Sequence, residues 1–243
     1  MSYDLYYWPG LPGRGEYVRL VLEAIGADYR DVARLDASQG GGVEAMFAVM
    51  QGKNPPHRPL APPFLVSGDL VVSQTAVIVS WLGERHGLAP ASEADRLFAR
   101  SVAATTADFV NEAHDTHHPV GVSFYYEDQL AEAARRTEAF RNERMGKFLD
   151  WYESLLADNP TGTGHLVGDA LSYADLGLFQ TVAGLRYAFP RWMSSLMASY
   201  PLIAALCEQV TDLPRVRIYL ESDRRIPFNE DGIFRHYREL DGD

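Results

Sequence analysis

The chain has 243 residues, 47% of them hydrophobic and 23% charged, which is the composition of a folded globular protein. Its formal net charge of -11 argues against a nucleic-acid or anionic-membrane partner, because those surfaces are held by Lys and Arg that neutralise phosphates. No apolar run approaches the length that crosses a bilayer, and the N-terminus lacks the basic start and apolar core of a secretory signal, so the expected compartment is the cytoplasm.

Tyr3 to Trp8 is rich in strand formers and is ended by Pro9-Gly10. From Glu16 to Ile25 the apolar residues Val18, Val21, Leu22 and Ile25 fall at helical spacing, and Gly26 stops the helix. Asp28 to Val32 reads as a second strand. The stretch that follows, with Gly40-Gly41-Gly42 and Asn54-Pro55-Pro56, is expected to be irregular and mobile. Pro62-Pro63-Phe64-Leu65-Val66-Ser67-Gly68-Asp69-Leu70-Val71-Val72 then reads as two strands around a Ser-Gly-Asp turn, a connection so short that the strands can only pair antiparallel. After Ser73 a helix runs from Gln74 through Ile78 and Trp81 to His86 and stops at Gly87. Free N–H groups and a partial positive charge at its start favour an anion there. Together these elements predict a small α/β layer with a mixed sheet.

The remainder is helical. Leu88 to Ser92, with Pro90, reads as a linker, so the expected division is a domain over residues 1–86, a linker over 87–93 and a second domain over 94–243. Asp95 to His118 and Asp128 to Leu156 have the periodicity of two long helices separated by Pro119 and Gly121, and Pro160 to Gly164 is a loop. Further helices are expected near Tyr173 to Ala188, Leu202 to Val210 and Val216 to Glu221. Ser172 and Asp175 form a short-armed capping box for the first of these. The tail from Arg224 carries Pro227, Phe228 and Tyr237, enough apolar surface to fold back, with its last residues frayed. Cys207 is the only cysteine, which excludes a dithiol redox pair, and its apolar neighbours make it a core residue.

His114, His117 and His118 lie three and four apart near a predicted helix end, with Asp115 beside them. That spacing is ligand-like, but a metal site needs convergent ligands and usually a carboxylate or fourth ligand, which a sequence does not demonstrate. The same residues read equally as cations favoured at a helix C-terminus, or as the wall of a pocket with Phe124, Tyr125 and Tyr126.

The order of proline, hairpin and Gln74-Thr75 resembles the second half of the thioredoxin-like domain of cytosolic glutathione transferases. Gly168-Asp169-Ala170-Leu171-Ser172-Tyr173-Ala174-Asp175 is similar to the capping segment of their helical domain. The resemblance covers nearly the whole chain and implies a fold of α/β plus all-α type, a thioredoxin-like N-terminal domain followed by an all-helical one. It implies that Pro63 is a cis-proline and that Gln74 and Thr75 bind the γ-glutamyl carboxylate of glutathione at a helix N-terminus. By the same likeness Lys53 reaches the glycine carboxylate, and Glu112 resembles the acidic residue that some classes send across the dimer to the amino group. The residue before the cis-proline pairs through its backbone with the cysteinyl unit; here it is Pro62, which has no N–H, at a net loss of about 0.5–1.5 kcal/mol. Ala61 stands where an Asn or Gln side chain is common.

A free thiol has a pKa of about 8.5, so a transferase must favour the thiolate, and a hydroxyl hydrogen-bonded to sulfur does so. In the tyrosine-dependent classes (alpha, mu, pi and sigma) that hydroxyl ends the first strand and is followed by an aromatic and a Gly-Arg pair. This chain has Tyr6-Tyr7-Trp8, then Gly13-Arg14 and Arg19, with one more turn residue between Trp8 and Gly13 than is usual. Tyr7 is the expected donor; Tyr6 points to the opposite face of the strand, and both also suit plain sheet packing. Arg14 resembles the arginine that orders this turn and borders the thiol. The implied activity is attack of the glutathione thiolate on a small apolar electrophile, bound near His114, His118, Tyr125 and Tyr126, in a homodimer that needs no metal or redox cofactor. A glutathione-dependent isomerase or peroxidase would use the same thiolate, and a scaffold would bind glutathione without turning it over.

Overall fold

Tyr3–Tyr6 (β1) runs parallel to Tyr29–Asp31 (β2) and antiparallel to Phe64–Ser67 (β3), which pairs antiparallel with Leu70–Ser73 (β4). The resulting sheet has the order β2-β1-β3-β4, the mixed thioredoxin-like layer that the sequence predicts. The structure is a computed structural model that describes residues 2–52 and 57–242; Lys53 and Asn54-Pro55-Pro56 lie outside the described residues.

Helices Gly15–Ile25 (α1) and Thr75–His86 (α3) cover one face of the sheet, where Leu5 and Leu65 meet Val18, Leu22, Ile78 and Leu82 in a continuous core. The other face carries a smaller cluster of Tyr6, Val32, Met46, Val49 and Phe64, with Tyr6 stacked on Phe64 at 4.7 Å between ring centroids. Met46 and Val49 come from Val43–Met50 (α2), a helix inside the stretch expected to be irregular. Its sequence is apolar nearly all round, so no 3.6-residue stripe marks it out, and the flanking glycines read as loop. What makes it a helix is the aromatic floor beneath it.

The helical part begins at Glu93–His114 (α4), capped by Ser92, whose hydroxyl accepts the N–H of Asp95 at 3.0 Å. The expected helix to His118 stops four residues early. Proline disfavours helical dihedrals in the residue before it, and Pro119 therefore holds His118 out of the helix. Leu130–Ala139 (α5) continues through a π-helical turn, Phe140–Met145, into Gly146–Asp158 (α6), matching the second long helix.

Tyr173–Ala188 (α7) is buried on most of its surface and packs on both α4 and α1. Its start is held as the sequence predicts: Asp175 accepts the Ser172 N–H at 2.7 Å while Ser172 accepts the Ala174 N–H at 3.2 Å. The second Asp175 oxygen also accepts the Leu166 N–H at 2.8 Å, so one buried carboxylate ties the preceding loop to the helix. Pro190–Leu196 (α8), which the sequence did not predict, precedes Pro201–Thr211 (α9) and Pro214–Leu220 (α10). Cys207 is buried in α9, and burial pushes its thiol up to about 11.

The tail folds back, and it is anchored at Asp241, where fraying was expected. Asp241 accepts the backbone N–H groups of Arg191 and Trp192 at 3.0 and 3.2 Å, which caps α8.

Candidate functional site

Tyr7 follows β1 directly and turns away from Tyr6, as strand alternation requires. Its ring lies against Gly13 and Gly15, where a Cβ would collide with it, and its hydroxyl accepts the Arg14 backbone N–H at 3.0 Å. Burial raises the phenol above its ordinary pKa, more than the Arg14 N–H and the charges of Arg14 and Arg19 lower it. Tyr7 therefore stays protonated, and with one lone pair already engaged its own O–H is left to donate.

The register of the sheet brings the other predicted backbone elements alongside. Tyr6 pairs with Phe64 and Phe64 with Ser73, so one residue further on Tyr7, Pro63 and Gln74 stand in a row at the same end of the sheet. The Pro62-Pro63 bond is cis. Gln74, at φ 71°, is the one non-glycine with positive φ among the described residues, a conformation costing of order 1–3 kcal/mol that persists at functional sites because its surroundings enforce it. It precedes Thr75, whose buried hydroxyl has no partner, at the open N-terminus of α3. Thr75 and Arg14 line one apolar cleft between the two domains, with Tyr17, Val79, Thr106 and Val110.

The loop that carries Arg14 is fixed from several sides. The Arg14 guanidinium donates to Asn111 Oδ1 of α4 at 2.5 Å. Beneath it, the buried Arg19 donates to the carbonyls of Leu11 and Pro12 at 3.4 and 3.3 Å and pairs with Asp31 at 2.7 Å and Glu16 at 3.2 Å. Burial opposes the Arg19 charge, but Asp31 and Glu16 outweigh it and hold the guanidinium protonated. Glu16 also accepts the Tyr219 hydroxyl at 2.6 Å and pairs with Arg225. Asn111, Glu16, Tyr219 and Arg225 were not among the residues singled out from sequence. No local pattern marks them, because each acts through a partner in the other domain.

The remaining predicted residues are placed as follows. Lys53 lies outside the described residues. Glu112 is occupied within its own chain, by Arg144 in two-pronged fashion at 2.6–3.0 Å and by Arg136 at 3.2 Å. Burial alone would raise its carboxyl, and these two arginines more than reverse that. His114 is half-buried and close enough to Arg14 for that charge to help depress its pKa, while His118 is buried. Tyr125 is 77% exposed. Tyr126 is buried under the tail, stacked on Tyr237 at 3.8 Å and donating to Glu239 at 2.9 Å, so it is not a pocket wall. The folded-back tail, whose course no sequence pattern fixes, is the reason. Trp192 lies beneath the Arg141 guanidinium at 5.0 Å.

Comparison with known proteins agrees with this geometry. Residues 114–223 match the family model for the glutathione S-transferase C-terminal domain. The chain is 27% identical over 227 residues to glutathione S-transferase P 1 of Xenopus laevis, covering 92% of this chain and 94% of that one. It is 25% identical over 220 residues to the glutathione S-transferase of Plasmodium falciparum, covering 89% and 93% respectively. Among solved structures, the prostaglandin synthase D of Nilaparvata lugens superposes with a TM-score of 0.70 at 21% identity, over 93% of this chain and all (100%) of that one. The monomeric Na-GST-3 of Necator americanus gives 0.67 at 21% identity, over 94% and 100%. Residues 114–223 thus match the C-terminal domain of glutathione S-transferases, and nearly the whole chain is similar in sequence to glutathione S-transferases and in fold to the solved structures.

Proposed function

We infer that the chain is a glutathione S-transferase in which Tyr7 stabilises the glutathione thiolate for attack on a small apolar electrophile. The observation that carries the role of Tyr7 is its hydrogen bonding. The hydroxyl accepts from the Arg14 N–H and is held as a neutral phenol, so its proton is directed outward as a donor. A donor fixed by the fold before substrate arrives costs no reorganisation when charge settles on sulfur. Gln74 and Thr75 supply a helix N-terminus and an unpartnered hydroxyl for the γ-glutamyl carboxylate, and the backbone at Pro62 and Pro63 flanks the cysteinyl unit. Arg14 closes the site on the side of α4, and His114 and His118 border the electrophile space next to it, with Tyr125 at its exposed rim.

A homodimer is part of the same proposal. Leu70 on β4, Val77 on α3, and Leu97 and Phe98 on α4 expose large apolar side chains that a second copy would cover. No helix among the described residues is long and apolar enough to cross a membrane, and a cytoplasmic location belongs to the same reading.

The test is ultraviolet difference absorbance of the bound glutathione thiolate against pH, in the native protein and in Tyr7→Phe. A thiolate that titrates well below the free thiol in the native protein, with the shift largely lost in Tyr7→Phe, is expected. Glutathione that binds with an unshifted thiol would replace the transferase by a glutathione-binding scaffold and point to Pro62 as the reason.

A further inference from the structure

The end of α4 and the turn after it bring three imidazoles together. The rings of His114, His117 and His118 have centroids 4.7–5.3 Å apart, and one ring nitrogen from each can be chosen so that all three lie within 4.8 Å of one another. We propose that His114, His117 and His118 form a three-imidazole site for one divalent transition ion of the zinc kind, with a further coordination position left open.

The proton positions favour this reading over simple packing. His117 Nε2 lies 2.7 Å from the Ile233 carbonyl, which can only accept, so the proton is on Nε2 and the lone pair is on Nδ1. That is how ligating imidazoles are usually oriented, with the far N–H held by a carbonyl or carboxylate. His117 Nδ1 in turn faces His118 Nδ1 at 2.5 Å, below the ~2.7–3.2 Å of an ordinary N–H hydrogen bond. Two nitrogens bound to one tetrahedral ion at ~2.0–2.1 Å stand roughly 3.3 Å apart. The observed separations, 2.5 Å for one pair and within 4.8 Å for all three, bracket that value. Asp115 Oδ1, 3.5 Å from His114 Nδ1, orients the third ring.

The surroundings are compatible with a cation. Arg14 and Arg235 bring positive charge near the cluster, opposed by Asp115 and Glu127. The Arg235 guanidinium is tied to the carbonyls of Gly232 and Asp231 at 2.9 and 3.2 Å. His117 and His118 are buried while His114 keeps a face to solvent, which gives an ion a way in. An all-imidazole donor set suits zinc, copper and nickel rather than magnesium or calcium. Three imidazoles with an open position are the arrangement of zinc sites that bind a water or substrate, here on the Arg14 side of α4.

The experiment uses the full chain without a histidine tag, freed of metal by chelation and dialysis, and titrated with cobalt(II) and with zinc(II) alone. One ion per chain is expected, with the visible ligand-field absorption of tetrahedral-type cobalt and its loss on zinc addition. His114→Gln and His118→Gln should each weaken binding by more than the roughly 100-fold at which the cost of disturbing an outer partner ends. His114 keeps solvent access, so its variant stays folded and reports even where the other does not. Absence of stoichiometric binding, or unchanged affinity in both variants, overturns the site and leaves any ion to the other histidines. Glutathione takes no part in this test, so its result is independent of the transferase reading.

Discussion

Gly15→Ala sets two well-understood effects against each other. Gly15 opens α1, and its φ is not in the positive range, so alanine suits the backbone and on helix propensity alone would stabilise by up to about 1 kcal/mol. A Cβ there, however, falls 2.6 Å from Cγ and Cδ1 of Tyr7 and 2.9 Å from its Cβ, against the roughly 3.5–4.0 Å at which carbon atoms rest in contact. The ring cannot retreat, because Gly13 closes over its hydroxyl and the Arg14 N–H fixes that hydroxyl in place. Overpacking of this kind costs about 1–3 kcal/mol. The propensity gain is also smaller in a first turn than in a helix interior, so the net expectation is a loss of about 1–2 kcal/mol. Urea unfolding of Gly15→Ala should give a lower midpoint, and the same ultraviolet titration should move the bound thiol back toward the free value as Tyr7 shifts. A variant as stable as the native protein, with its thiolate shift intact, would refute the claim that Gly13 and Gly15 hold the Tyr7 ring in position.

Arg19→Met removes the centre of a buried charge cluster and leaves Asp31 only the more distant Arg34 at 3.6 Å, while Glu16 keeps Arg225 and Tyr219. Breaking such a pair costs about 3–5 kcal/mol, and an unchanged urea midpoint would contradict the role given to Arg19. The histidine cluster predicts acid sensitivity. His117 and His118 are depressed from 6.5 to about 2 and about 4, so the unfolded chain binds protons that the native state refuses. Stability is then full above 6.5 and falls as pH drops through that value, by up to about 1.4 kcal/mol per pH unit for each imidazole. Unfolding midpoints measured with chelator present, from about pH 7 to about pH 5, should decline in the native protein and less steeply in His118→Gln; a flat native profile contradicts it.

The parts of this chain that were legible in advance are those governed by local rules. The Ser67-Gly68-Asp69 turn can only make an antiparallel hairpin, Gly26 and Gly87 end their helices in left-handed conformations, and Ser172 with Asp175 caps α7. Strand alternation alone separated Tyr7 from Tyr6. What escaped depends on partners far along the chain. Helix α2 takes its stability from Tyr6 and Phe64, and Tyr126 is withdrawn from solvent by Tyr237 and Glu239. Glu112 looked available because Arg136 and Arg144 lie one helix away. The histidines were noticed for a spacing on one helix face, yet only His114 is helical. They meet because Pro119 ends the helix and the turn folds His117 and His118 back onto it.

One consequence of the long-range pairings concerns the turn before Arg14, which carries an additional residue relative to the family pattern. A longer turn has more conformations to lose, and the role proposed for Tyr7 requires that turn to be fixed. The chain fixes it with Arg19 and with groups from the C-terminal part. Arg19 grips the carbonyls of Leu11 and Pro12 while its partner Glu16 is held by Tyr219 and Arg225. Asn229 donates to the Gly10 carbonyl at 2.8 Å, and Asn111 receives Arg14. Tyr219, Arg225, Asn229 and Asn111 all lie beyond residue 110, in or after the helical domain. In the proposed site the thioredoxin-like domain supplies the hydroxyl and its immediate contacts, while groups from the helical part brace the loop that carries Arg14, so the site is braced fully only when the two are docked.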